Sequence, residues 1–105
     1  MGQIVAKYGA QKGTVIEFKD SLTWLELSSI SRVMQTNRGD AMAANDALIK
    51  TAITKIIMPD SAAHTEKLEI AKQFGSLDAR DAVATIKELA KLVNIEEDPK
   101  ANSSN

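Results

Sequence analysis

The most constraining feature of the chain is the stretch from residue 22 to residue 57, where two apolar, helix-forming segments flank a short polar break. Thr23 and Glu26 have the spacing of a capping box, in which each side chain accepts a hydrogen bond from the backbone N–H of the other residue. This motif predicts a helix that begins here and runs to about Gln35. Apolar residues at helical spacing predict its buried side: Leu27, Ile30, Val33 and Met34.

A polar break at residues 36–40 separates this helix from a second one. Gly39 interrupts the helical pattern, and Asp40 is placed to cap the next helix. Pro59 prevents the second helix from continuing, because proline lacks the backbone N–H and clashes with the preceding turn. Between these limits, apolar residues recur at helical spacing as far as residue 57: Met42, Leu48, Ile49, Ala52, Ile53, Ile56 and Ile57.

The N-terminal residues predict a β-hairpin. β-Branched and aromatic residues concentrate in Ile4–Tyr8 and Thr14–Phe18, and the connection Gly9-Ala10-Gln11-Lys12-Gly13 joins the two runs. An isolated hairpin is marginal in water. We therefore expect this one to pack on helices of its own chain or on strands of another subunit.

The C-terminal half predicts two further helices. The first spans about Ala63–Phe74 and is closed by Gly75, and the second is capped by Ser76 and spans about Leu77–Asn94. Its core stripe is expected to contain Ala82, Ile86, Leu89 and Val93, widened by Val83 and Ala90. Charged residues in its first turn are expected to complement the helix dipole: Asp78, Arg80 and Asp81.

The predicted fold class is therefore mainly α (α+β), with an N-terminal β-hairpin, about four helices and a disordered acidic C-terminal tail. One helical domain is predicted for residues 1–95, because a chain of 105 residues forms a single core. From Glu96 the sequence becomes acidic and then small and polar, so residues 96–105 are predicted to be the disordered tail.

The composition offers no catalytic equipment. The chain has no cysteine and a single histidine, His64, with no second histidine or nucleophile placed to assist it. Asp20-Ser21-Leu22 matches the attachment motif of acyl carrier proteins, but a predicted hairpin replaces the helix and long loop that precede the serine in those proteins. Arg38-Gly39-Asp40, the tripeptide that integrins read, is better explained as a helix–helix turn. We expect a protein that is not an enzyme, with no catalytic residue, metal ligand or cofactor.

Charge and hydropathy narrow the partners and the compartment. A formal net charge of −1, with lysine and arginine scattered along the chain, argues against nucleic acid as the main partner. No apolar run approaches the ~20 residues that span a bilayer, and the N-terminus lacks the apolar core of a signal peptide. A cytoplasmic protein without a membrane partner is the expectation.

Trp24 has the largest apolar side chain in the sequence, and we expect it to be buried against other residues. A tryptophan in the first turn of a capped helix anchors either the core or an interface, and we expect the core, with Leu27 and Ile53, more than the interface. The apolar surplus of the second helix could likewise face another protein. The predicted protein-binding residues are Trp24, Leu25, Ile49, Ile53 and Ile57.

Three segments in a fixed order carry a family resemblance: Val15-Ile16-Glu17-Phe18, then Leu22-Thr23-Trp24-Leu25-Glu26, then, after a polar interruption, Ala47-Leu48-Ile49-Lys50 through Ile53-Thr54-Lys55-Ile56. This layout resembles the tail assembly chaperones of long-tailed (siphovirus-type) bacteriophages. It covers roughly residues 14–57, with general helical similarity beyond them.

The resemblance implies a non-enzymatic protein of the host cytoplasm that coats the tape measure protein while tail tube proteins assemble around it. It implies reversible, largely apolar binding of a long helical client by many copies, and hence a homo-oligomer. In many members of the family a late ribosomal frameshift yields a longer second product, and Pro99-Lys100 can be encoded by a slippery heptamer. The alternative is a small helical phage regulatory or nucleic-acid-associated protein, in which Arg32, Arg38 and Lys50 converge on one face.

Overall fold

Four antiparallel strands and four helices make up the part of the chain that the structure, a computed structural model, describes, namely residues 2–36 and 40–93. In chain order the elements are β1 (Gly2–Val5), β2 (Val15–Phe18), α1 (Trp24–Thr36), α2 (Ala41–Ala52), β3 (Ile53–Ile57), β4 (Ala63–His64), α3 (Lys67–Phe74) and α4 (Ala79–Ala90). The strands lie side by side in the order β1-β2-β3-β4. The α1–α2 hairpin is therefore inserted between two neighbouring strands of the sheet.

The predicted N-terminal hairpin is confirmed, with a shorter first strand. β1 pairs with β2 in the register Ile4↔Ile16, and the turn uses Gly9 and Gly13 with φ values of 70° and 98°, where a side chain would be strained. β1 ends at Val5 rather than at Tyr8. The backbone N–H groups that follow Ala6 do not continue the ladder, because a side chain of α4 accepts them.

Both helices of the α1–α2 hairpin begin directly after the cap residues that the sequence predicts. The Thr23 hydroxyl accepts from the Glu26 N–H at 3.2 Å, and the Glu26 carboxylate accepts from the Thr23 N–H at 2.9 Å. Asp40 caps α2 by accepting from the Ala43 N–H at 3.1 Å. The capping box and the Asp40 cap are confirmed.

The predicted extent of the second helix is wrong. α2 ends at Ala52, and residues 53–57 form β3, which pairs with β2 on one side and β4 on the other. The spacing of Ile53 and Ile56 fits a helix, but β-branched residues occupy four of the five positions of ITKII, and they favour the pleated strand. Tertiary pairing in the middle of the sheet therefore decides the conformation of this segment.

The last two helices begin later than predicted. Ala63–His64 forms the short edge strand β4, and α3 starts only at Lys67. Asp78, not Ser76, caps α4 by accepting from the Arg80 N–H at 2.9 Å, while the Ser76 hydroxyl donates to the Gln73 carbonyl at 2.6 Å. α4 ends at Ala90 rather than at residue 94, which lies outside the described residues.

The core lies between the helices and one face of the sheet. Alternation along the paired strands places Ile4, Ile16 and Ile56 on that face, and the last two are fully buried. Helices α2 and α3 contact β3, and α2 also packs on α1 and α4. The buried apolar residues are Ala6, Ile16, Leu22, Ile30, Leu48, Ile49, Ala52, Ile53, Ile56, Met58, Ile70, Phe74, Leu77 and Leu89.

The structure thus confirms the hairpin and the four helices and adds two strands that the sequence did not predict. The predicted tail at residues 96–105 and the Arg38-Gly39 part of the turn lie outside the described residues.

Candidate functional site

Trp24 and Leu25 project into solvent from the first turn of α1. Their relative exposures are 79% and 81%, so the expectation that Trp24 anchors the core is wrong. Helical geometry explains the outcome: Ile30, the buried residue of α1, lies six positions further on and therefore about 120° around the axis from Trp24. The capping box fixes the start of the helix and with it the outward direction of both side chains.

The surface around this pair is shallow, and Arg32 is the charged residue in its lining. Trp24, Leu27, Ser28 and Arg32 border a depression of about 290 Å³ along α1. At its N-terminal end, the Lys19 ammonium donates to the Glu26 carboxylate. This hydrogen bond and the one from the Thr23 N–H hold the pKa of Glu26 below its ordinary value. We use the name α1 surface for the exposed side chains of Trp24 and Leu25 together with Leu27, Ser28 and Arg32.

The structure separates the other three predicted binding residues from the α1 surface. Ile49 and Ile53 belong to the core, with 7% and 3% exposure. Ile57 is half-buried on the outer face of the sheet, beside Val15 in the register of β2 and β3. Of the five predicted residues, only Trp24 and Leu25 are largely exposed, as sequence neighbours in the first turn of α1.

A second apolar surface lies between α2 and the C-terminal helices. It is a groove of about 370 Å³ whose lining includes Met42, Ile49, Phe74, Leu77, Ala82 and Ile86. Met42, at its rim in the first turn of α2, is 77% exposed. We call this feature the α2–α4 groove. Val83, which the sequence assigned to the core stripe of α4, is 52% exposed instead.

Asp81 is buried and forms long-range hydrogen bonds that the sequence did not predict. It is 5% exposed, and its two carboxylate oxygens accept the N–H groups of Lys7 at 2.9 Å and Tyr8 at 3.0 Å. The sequence reading treated Asp81 as a first-turn surface charge, yet it falls in line with Thr85 and Leu89, which are both buried. This i, i+4, i+8 spacing was the available signal for burial.

Arg80 and Asp78 reinforce the same junction from outside. The Arg80 guanidinium lies 3.9 Å from the centre of the Tyr8 ring and donates to the Asp78 carboxylate. That pairing lowers the pKa of Asp78 and raises the pKa of Arg80. The end of the hairpin is thus fixed to the first turn of α4 by buried and exposed contacts together.

A trough of about 420 Å³ opens beside this junction, between β1 and α4. Its sheet side includes Ile4, Val5 and Lys7, and its helix side includes Asp81, Ala84 and Glu88. It has more volume than the two depressions described above. We call it the edge trough, because it runs along β1, one of the two edge strands of the sheet that the described residues form.

His64 does not stand at a helix start, as the sequence suggested, but half-buried on β4 opposite Ile56. The nearby Asp60 carboxylate accepts from the Ala62 N–H at 3.0 Å. Across residues 2–36 and 40–93, no group of three or more histidine, aspartate or glutamate side chains is arranged to hold a metal ion. Among the helices of those same ranges, none has the length and apolar character needed to cross a bilayer.

Comparison of the chain with protein-family models, with curated proteins and with solved structures finds no significant match.

Proposed function

We propose that the protein is a non-enzymatic tail assembly chaperone of a long-tailed bacteriophage, which binds the tape measure protein during assembly of the tail tube. The observation that carries this proposal is the exposure of Trp24 and Leu25 as a neighbouring pair on α1. The segment that contains them is part of the resemblance to the chaperone family, which supplies the identity of the client.

An exposed Trp–Leu pair favours protein binding on energetic grounds. A tryptophan side chain offers roughly 150–250 Å² of surface, and its burial in a complex is worth several times that of a small residue. Neither side chain contributes appreciably to the core, so the fold gains nothing from their apolar character. A client helix with an apolar stripe would cover them, and Arg32 beside them would meet an acidic residue of that client.

Copies that coat a long client as a continuous layer contact one another, so each copy uses two surfaces, one for the client and one for the neighbouring copy. The α1 surface and the α2–α4 groove satisfy this requirement, because they lie on different parts of the helical layer. We infer that the α1 surface binds the client and that the groove supports a homo-oligomer in the host cytoplasm. Contact with the tail tube protein would follow as the tube replaces the chaperone along the client.

The test is binding to the tape measure protein encoded beside this gene, measured by calorimetry with purified proteins. A Trp24→Ser, Leu25→Ser double variant should bind at least about thirtyfold more weakly while keeping its melting temperature, since truncated interface anchors cost about 2 kcal/mol or more. Leu68→Ser is the matched control, because it removes a similarly exposed apolar side chain (75%) from α3, outside both the α1 surface and the α2–α4 groove. Equal affinity of the double variant and the wild type would exclude the α1 surface as the client site.

A further inference from the structure

The outer edge of β1 carries hydrogen-bonding groups that no described residue satisfies. The Ala6 N–H donates to the Thr14 carbonyl at 2.8 Å, so the backbone of Ala6 faces β2. Direction alternates along a strand, which means that Ile4 also faces β2 whereas Gln3 and Val5 face away from it. Each of these two residues directs one N–H and one C=O outward, and within residues 2–36 and 40–93 none of them has a partner.

The next outward group of the same edge shows what the edge can bind. The Lys7 N–H continues the alternation and donates to the buried Asp81 carboxylate at 2.9 Å. α4 therefore satisfies the edge at Lys7 and leaves it open at Gln3 and Val5. Between the open groups and α4 lies the edge trough, and Ala84 on its helix side is small enough to keep it clear.

We propose that an extended segment of another protein binds in the edge trough as a fifth strand on β1, with its backbone paired to Gln3 and Val5. Strand addition to an exposed edge is an established mode of peptide recognition, in which main-chain hydrogen bonds give affinity and flanking side chains give specificity. Here the strand would lie between β1 and α4 and would bury the exposed side of Val5.

The charges of the trough define the segment. At the Asp81 end, the Lys7 ammonium has no ion pair within the described residues. At the other end Glu88 lines the wall, and its partly exposed carboxylate, paired at 3.0 Å with exposed Lys91, still has an oxygen for a second cation. Lys7 lies three residues beyond Ile4, so the sheet side of the trough is about 10 Å long. The segment therefore carries a carboxylate near Lys7 and a basic side chain near Glu88, with uncharged β-branched residues between them. A second copy of β1 fits less well, because Gly2-Gln3-Ile4-Val5 has no charge to offer.

The experiment is a titration of the ¹⁵N-labelled full chain with the capped peptide Lys-Thr-Val-Thr-Glu, with amide hydrogen exchange as the second readout. Binding should slow exchange at the outward Gln3 and Val5 N–H groups by roughly tenfold or more at saturation, and should leave Ile4, which already faces β2, unchanged. The same peptide with its two threonine nitrogens methylated is the control, since it keeps the charges and loses strand pairing. Equal binding of both peptides, or no protection at Gln3 and Val5 at 5 mM peptide, overturns the proposal.

Two variants of the chain make the test specific. Val5→Pro removes only an outward N–H, which an edge strand tolerates, and should weaken peptide binding by roughly tenfold while Val5→Thr binds as the wild type does. Lys7→Glu should weaken binding of the same peptide and should strengthen binding of a peptide that has lysine at both ends. The Trp24→Ser, Leu25→Ser variant should bind the peptide normally, so the outcome is independent of the proposed chaperone function. Loss of binding in that variant, or full binding by a folded Val5→Pro chain, would place the peptide elsewhere.

Discussion

Asp81 shows at the scale of single residues how one buried carboxylate joins the N-terminal hairpin to α4. We predict that Asp81→Ala destabilises the protein by about 2–4 kcal/mol, because it leaves the N–H groups of Lys7 and Tyr8 without an acceptor in a partly buried place. Urea denaturation measures the cost. Hydrogen exchange should speed up most at the amides of Lys7 and Tyr8.

Glu88→Ala is the matched control for this prediction, since Glu88 lies on the same side of α4 and, among residues 2–36 and 40–93, its carboxylate pairs with exposed Lys91 alone. It should change stability by less than about 0.5 kcal/mol. If the two variants were equally stable, the carboxylate of Asp81 would not be holding the hairpin to α4.

Single residues also show where sequence reasoning succeeds and where it stops. The Thr23–Glu26 capping box and the Asp40 cap are local, since donor and acceptor lie three residues apart, and both were predicted. The partners of Asp81 lie 74 and 73 residues away, so no local pattern names them. Trp24 was predicted in part. The residues around it predicted the start of the helix correctly, but which side of the helix is buried depends on packing against α2.

At the scale of elements, the start of α1 should respond to acid. The pKa of Glu26 is held below its ordinary value by the hydrogen bond from Lys19 and then by that from the Thr23 N–H. A carboxylate with a lowered pKa in the folded state adds stability above its unfolded pKa, and that stability is lost as the pH falls through the folded pKa. The melting temperature should therefore fall on acidification below about pH 4, partly because of this group.

Glu26→Gln isolates the contribution of Glu26, because glutamine preserves the capping box without a charge. The wild type should melt above this variant at neutral pH, and the difference should vanish in acid. Lys19→Gln should move the loss of stability to higher pH, since it removes the main cause of the lowered pKa. A wild-type advantage that persists unchanged to pH 2 would contradict this account.

β3 provides a second test at the element scale. In the predicted helix Ile56 and Ile57 shared one apolar stripe, whereas in the strand they face opposite sides of the sheet. Ile56 is fully buried, so Ile56→Val should cost about 1 kcal/mol, while Ile57→Val on the outer face should cost less than about 0.5 kcal/mol. Chemical denaturation of the two variants measures the difference, and equal costs would argue for a helical segment.

The segment also explains why the fold was only partly predictable. Ile49, Ala52, Ile53 and Ile56 satisfy a helical period through residues that belong to two different elements. The nearest glycine and proline are Gly39 and Pro59, so neither residue type marks the change at Ala52–Ile53. Residues 53–57 form a strand because they pair with β2. That pairing is a property of the assembled sheet, and neither strand predicts it alone.

At the scale of the whole molecule, two apolar surfaces on one small domain should make the free chain self-associate. The α2–α4 groove is the larger depression of the two, so we predict that copies associate through it at micromolar concentrations and leave the α1 surface free for the client. Light scattering should show a mass above that of the monomer, and Met42→Glu, at the exposed rim of the groove, should reduce it.

Trp24 supplies an independent readout of this arrangement, because it is the only tryptophan in the chain and is 79% exposed. Its fluorescence should stay that of a solvated indole as the protein concentrates, and should move to shorter wavelength only when the tape measure protein is added. Trp24→Ser should leave the mass by light scattering unchanged. A concentration-dependent blue shift would instead mean that copies use the α1 surface, and a strict monomer at high concentration would count against an oligomeric chaperone altogether.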